Sequence, residues 1–184
     1  MKYFFDTEYA FNTESWNRGP HLISIGIVAE DGREYYAVNH KGPYYANEFV
    51  RSQVLPHLGE PWKTEDEIKK EVQDFIGDDV PEFWCYFGAF DYVLLSQLMG
   101  GFEQWPQKWP YLAYDLRQWL DAKDLQGVSQ EGDMTHHALD DARWIAATYK
   151  KYNQSPQYNP PFILEVDRKW IGDVSKYSHE SMEL

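Results

Sequence analysis

Lys2-Tyr3-Phe4-Phe5-Asp6-Thr7-Glu8-Tyr9 stands near the start of the chain, and His21-Leu22-Ile23-Ser24-Ile25-Gly26-Ile27-Val28-Ala29 follows it. The second run is β-branched and apolar and reads as a strand. Glu30-Asp31-Gly32 is a tight turn, and Arg33 to Asn39 (REYYAVN) makes the returning arm of a hairpin. Lys2 to Phe5 reads as a third, buried strand that ends at Asp6 and lies close to the hairpin.

Beyond the hairpin the period changes. Ala46 to Leu58 reads as a helix ending near Pro56. Thr64 to Ile76 opens on Thr-x-x-Glu, a capping-box pattern, and sets Ile68, Val72, Phe75 and Ile76 on one face. Pro81 to Phe87 is an aromatic strand. An apolar helix from Ala89 to Met99 follows and stops at Gly100-Gly101. Trp105 to Pro110 is a loop, Tyr111 to Tyr114 a short strand, and Asp115 to Ala122 and Ala138 to Tyr152 are helices. Strands first, then alternating strand and helix, give an α/β domain: a mixed β-sheet flanked by α-helices. The expected division is a domain over residues 1–152 and a tail over 153–184. Pro156, Pro160 and Pro161 end regular structure there, and Phe162, Ile163, Leu164, Val166, Trp170 and Ile171 suit docking on the domain or on a partner chain.

The chain has 184 residues, 43% of them hydrophobic, which suits one core better than two. No stretch is apolar for the eighteen or so residues of a membrane helix. The N-terminus reaches acidic residues too early for a signal peptide. Cys85 is the single cysteine and cannot form an internal disulfide, so a reduced, cytoplasmic setting is expected. A net charge of -13 argues against wrapping long nucleic acid through many phosphate contacts. It leaves room for an enzyme that holds only a strand end, where divalent cations supply positive charge.

Three sets of residues carry chemistry. Asp6 and Glu8, two apart on a strand, project to one face, where their charges repel unless a cation lies between them. Hard oxygen donors of this kind suit Mg²⁺ or Mn²⁺. A solvated strand end is the plain alternative. His136 alone among the six histidines has an Asp five positions on, Asp141. That spacing places the imidazole before a helix and the carboxylate in its first turn, both able to lean over one cleft. Asp140 at the same helix start is explained by the helix dipole, and His137 reads as incidental. Asp91 sits where the strand ending near Phe87 enters the apolar helix, as a dipole partner or a ligand. Zinc is not expected, because no Cys/His set has ligand spacing.

Taken together, Phe5-Asp6-Thr7-Glu8, Phe90-Asp91 and His136-His137-Ala138-Leu139-Asp140-Asp141-Ala142 resemble the three motifs of the DEDDh (DnaQ-like) 3′-5′ exonucleases, over Met1 to about Tyr152. The hairpin Leu22 to Val38 and the stretch Trp84 to Asp91, ending Gly88-Ala89-Phe90-Asp91, are similar to the RNase AS branch, polyadenylate-specific 3′-5′ exoribonucleases. Many DEDDh members carry Asn four residues before the middle Asp. This chain has Phe87 there, as RNase AS-like sequences also lack the Asn, which favours that branch over proofreading DNA exonucleases.

The resemblance implies an RNase H-like fold with two Mg²⁺ or Mn²⁺ ions roughly 3.5–4 Å apart. Asp6 is expected to bridge both ions, Glu8 and Asp141 to complete one, and Asp91 to hold the other directly or through water. His136 is expected to act as general base, since imidazole is largely neutral at physiological pH. The product would be a nucleoside 5′-monophosphate. Thr7, Tyr9 and Phe87 are the expected substrate contacts, by 2′-hydroxyl sensing or base stacking, although aromatic residues are as readily core. The implied partner is the 3′ end of single-stranded RNA, with adenylate preference resting on the resemblance alone. A homodimer is also implied. A DNA exonuclease of the same family and a non-catalytic RNA-end-binding protein remain the alternatives.

Overall fold

β1 (Lys2–Phe11) runs well past Asp6 instead of ending there. In the computed structural model, which describes residues 1–11, 19–130 and 136–153, it pairs antiparallel with β2 (Pro20–Ala29) along its whole length, Tyr3 opposite Ala29 and Phe11 opposite Pro20. Asp6 and Glu8 are therefore mid-strand residues. The sequence suggested a strand end because charge interrupts the aromatic run, but backbone pairing to β2 is indifferent to side-chain charge and carries the strand on. A register shift between Glu8 and Tyr9 marks a local bulge.

β3 (Glu34–Asn39) closes the expected hairpin. The sheet is completed by β4 (Trp62–Lys63), β5 (Glu82–Cys85) and β6 (Tyr114–Asp115), in the order β4-β3-β2-β1-β5-β6. β1, β2 and β3 are antiparallel, while β4, β5 and β6 pair parallel with their neighbours, giving the mixed sheet expected. The pairing of β1 with β5 stops at Phe4 opposite Trp84. Past that point, one backbone edge of β1 is left open.

Among the described residues, four α-helices cover the sheet. α1 (Glu65–Ile76) starts on the expected capping box, in which Thr64 and Glu67 each accept from the other's backbone N–H. α2 (Ala89–Leu98) is followed by Gly100 and Gly101, both left-handed. α3 (Leu116–Ala122) is capped by Asp115, whose carboxylate accepts from Arg117 N and Gln118 N. α4 (Ala138–Asn153) matches the last expected helix. Alternation along β1 divides the core. Tyr3 and Phe5 pack with Ile68, Val72, Leu94 and Leu95 of α1 and α2, whereas Phe4 packs with Trp84, Leu116, Leu120 and Ile145 toward α3 and α4. By the same alternation Asp6 and Glu8 fall on the α4 side and Thr7 on the α2 side.

The helix expected over residues 46–58 is present over residues 48–57, though not as a regular α-helix throughout. Val50–Val54 is a π-turn and Leu55–His57 a short 3-10 turn. Asn47 caps its start, the side-chain oxygen accepting from Val50 N, while Arg51 Nε donates to Ala46 O and Pro56 has no N–H to continue a regular ladder. Tail residues 154–184, and with them the docking expected of Phe162 to Ile171, lie outside the described residues. No helix among the described residues is long and apolar enough to cross a membrane.

Candidate active site

Gly26 decides where α4 begins relative to the sheet. It is the β2 partner of Asp6, and a Cβ built on it would lie 2.3 Å from Leu139 N and 2.4 Å from Ala138 O. Only the bare backbone of glycine lets the first turn of α4 rest directly on the strand. Asp141, in that first turn, is thereby lowered onto the face of β1 that carries Asp6 and Glu8.

The three carboxylates converge. Asp6, Glu8 and Asp141 each offer an oxygen within 4.8 Å of the others. Glu8 and Asp141 are buried, with Glu8 8% exposed. Burial first, and then the charges of Asp91, Glu8 and Asp141, push Asp6 well above the usual carboxylate range. Burial, with Asp141 and Asp91, pushes Glu8 up to about 8. Burial likewise raises Asp141 to about 6, opposed by the hydrogen bond from Gln130. A cluster of buried like charges is unfavourable unless protons or cations neutralise it. Hard carboxylate oxygens at this spacing fit a divalent ion such as Mg²⁺ or Mn²⁺.

Asp91 stands outside that group of three but lines the same cleft. Its Oδ1 accepts from Thr7 N at 2.9 Å and from Thr7 Oγ1 at 2.5 Å. It thus occupies the open edge of β1 left where β5 diverges. Burial raises Asp91 to about 6 while the two bonds from Thr7 pull against that rise.

His136 adopts a left-handed backbone, φ 49, immediately before α4. Its ring lines the cleft and meets Phe49 edge-on, centroids 5.5 Å apart. The neighbours that seemed structural are so: His137 stacks on Tyr36 at 4.4 Å, and Asp140 pairs with Arg143 at 2.7 Å. Thr7 and Tyr9 also line the cleft, as does Phe87, which is 67% exposed with a left-handed φ of 51. Thr7 is buried, its hydroxyl donating a hydrogen bond to Asp91. Tyr9 is half-buried against Phe11 and Phe90. All eight residues singled out from the sequence, Asp6, Thr7, Glu8, Tyr9, Phe87, Asp91, His136 and Asp141, therefore border one cleft of about 790 Å³.

Sequence reasoning missed Phe49, Arg117 and Gln130, which border the same cleft. Phe49 lies in a stretch expected to be helical, and Arg117 and Gln130 match no motif. Only the fold brings them to the site.

Comparison with known proteins agrees with this geometry. Residues 1–152 match the family described as the 3′-5′ exoribonuclease Rv2179c-like domain. Two Mycobacterium tuberculosis proteins, 3′-5′ exoribonuclease Rv2179c of strain ATCC 25618 / H37Rv and 3′-5′ exoribonuclease MT2234.1 of strain CDC 1551 / Oshkosh, are each 38% identical over 151 residues, covering 78% of this chain and 88% of the relative. Among solved structures, exonuclease I (apo) superposes with a TM-score of 0.56 at 11% identity, over 81% of this chain and 41% of that one. A zinc-bound complex of E. coli exonuclease I with single-stranded DNA gives 0.57 at 11% identity, over 81% and 39%. The chain spans about two fifths of the length of these exonuclease I chains, and the likeness establishes an RNase H-like fold. The chain belongs to the Rv2179c-like 3′-5′ exoribonuclease family.

Proposed function

We propose that this enzyme is a metal-dependent 3′-5′ exoribonuclease that removes nucleoside 5′-monophosphates from the 3′ ends of single-stranded RNA. The convergence of Asp6, Glu8 and Asp141 within 4.8 Å carries this reading. Asp6, Glu8 and Asp141, with Asp91 beside them, would hold two divalent ions, Mg²⁺ or Mn²⁺. When bound, such ions supply positive charge that activates a water and stabilises the leaving 3′-oxyanion. The protein's own groups do the rest. His136 accepts the proton of the attacking water from its place at the cleft wall. The Thr7 hydroxyl donates its hydrogen bond to Asp91, and its oxygen keeps a lone pair able to accept from a ribose 2′-hydroxyl. Exposed Phe87 and half-buried Tyr9 offer ring faces to the terminal bases.

The finer assignments belong to the same proposal. Adenylate preference rests on the resemblance to RNase AS, as does a homodimer to which the tail from residue 153 contributes. The cytoplasm suits the unpaired, buried Cys85. Light scattering that returned 21.8 kDa, the mass of one chain, would rule out the dimer.

The test is digestion of end-labelled RNA and DNA strands of equal sequence with Mg²⁺ by wild type, Asp6→Ala and His136→Ala. Wild type should shorten RNA from the 3′ end, and loss of the base should slow it roughly 10²–10⁴-fold. Preference for DNA would return the activity to the DNA exonuclease alternative. Equal degradation by all three preparations would expose a contaminant and remove the site assignment. Binding of labelled RNA ends without any cleavage would favour the non-catalytic alternative.

A further inference from the structure

Arg117 is the one Lys or Arg among the described residues that border the cleft. In a site for phosphodiesters the immediate thought is a phosphate clamp. Its surroundings point elsewhere. The side chain is in the first turn of α3 and the residue is only 8% exposed. NH1 donates to Val128 O, and NH2 donates to Leu125 O at 3.1 Å and to Asp121 Oδ1 at 2.7 Å. The guanidinium is thus engaged with two carbonyls of the segment following α3, residues 123–130. That segment ends at Gln130, which is 6% exposed and borders the cleft. Gln130 Nε2 donates to Asp141 Oδ1 at 2.5 Å.

We propose that Gln130 is a positioning residue that fixes the rotation of the Asp141 carboxylate for ion binding, and that Arg117 holds Gln130 in place through the carbonyls of Leu125 and Val128. This rests on the metal-dependent reading given above. α4 sets the position of the Asp141 backbone, but a carboxylate can still turn about its side-chain torsions. A buried amide on one oxygen removes that freedom and keeps the acid oriented toward Asp6 and Glu8. Groups that orient ligands in this way typically contribute 10–100-fold to affinity or activity. Arg117 acts one step further out. It supplies a rigid cation where the loop presents carbonyls that would otherwise turn to water, and lysine, with a single amine, cannot span Val128, Leu125 and Asp121 together.

The deciding variant is Gln130→Ala in the full chain. Calorimetry with Mn²⁺ and no nucleic acid should show ion binding weakened roughly 10–100-fold relative to wild type. On end-labelled RNA, kcat at a low fixed Mn²⁺ concentration should fall in the same proportion. KM for RNA should change less than about threefold, and raising Mn²⁺ should restore kcat. Arg117→Lys should show a smaller loss of the same kind, and its melting temperature reports whether the loop still folds. Wild-type ion affinity in Gln130→Ala overturns the inference, as does a lost rate that excess Mn²⁺ leaves unchanged. If wild type itself binds no divalent ion, the metal-dependent reading fails instead, so the two failures are distinct.

Discussion

Gly26→Ala tests the contact that assembles the site. The added methyl would stand 2.3 Å from Leu139 N and 2.4 Å from Ala138 C and O, where ordinary contact begins at 3.4 Å. The difference, 3.4 less 2.3, requires the first turn of α4 to retreat by roughly 1 Å, because both sides of the contact are backbone and neither can rotate away. Asp141 lies two residues beyond Leu139 on the same turn and moves with it. A displacement of about 1 Å among reacting groups can lower a rate roughly 10²-fold. Overpacking of this kind destabilises by about 1–3 kcal/mol, or roughly 2–12 °C in melting temperature for a chain of this size. Gly127→Ala is the control, since a Cβ there meets nothing within 4 Å. Thermal unfolding followed by circular dichroism, beside initial rates on 3′-labelled RNA with saturating Mn²⁺, gives both readouts. Gly26→Ala with wild-type melting and a rate within twofold of wild type would refute the idea that a glycine-sized gap positions Asp141.

Two other outcomes follow from the same geometry. Glu8 titrates near 8 in the folded chain against an ordinary 4.5. A raised carboxyl pKa means that the folded state holds the proton longer than the unfolded one, so this contribution to stability is complete below about pH 4 and is lost as pH rises through about 8. Metal-free wild type should therefore lose on the order of a few kcal/mol between those limits from this group. Glu8→Gln should melt higher than wild type at pH 8 without metal, yet gain less from added Mg²⁺; equal pH profiles for the two proteins would contradict the assigned cause. Phe49→Ala removes the edge-on partner of His136, whose ring centroid lies 5.5 Å away. Phe49 is largely exposed, so melting should change little while kcat/KM falls about tenfold, the loss of roughly 1.4 kcal/mol of orientation at the proposed base. An unchanged kcat/KM would show that His136 is held by something else.

Local chemistry made much of this protein legible without coordinates. The hairpin around Glu30-Asp31-Gly32, the capping box at Thr64 and the glycine stop after α2 depend on residues adjacent in sequence, and each is found where the pattern placed it. The pairing of Asp6 with Glu8 on one face follows from the strand period alone, and the separation of His136 before α4 from Asp141 within it follows from helix geometry. What sequence could not decide is what comes from elsewhere in the chain. β1 continues past Asp6 because β2 offers backbone partners along its full length, and Asp91 reaches Thr7 only because the pairing of β5 with β1 stops at Phe4. The segment over 46–58 is helical over 48–57 as its pattern suggests, but the π and 3-10 winding within it is not written in that pattern. Arg117 on α3, Phe49 in the helical stretch over 48–57 and Gln130 in the loop after α3 reach the site through the packing of their elements, which no local pattern encodes. Sequence by itself determined which carboxylates share a face. The tertiary structure decided how near they come, because the absence of a single side chain at Gly26 sets the depth at which α4 meets the sheet.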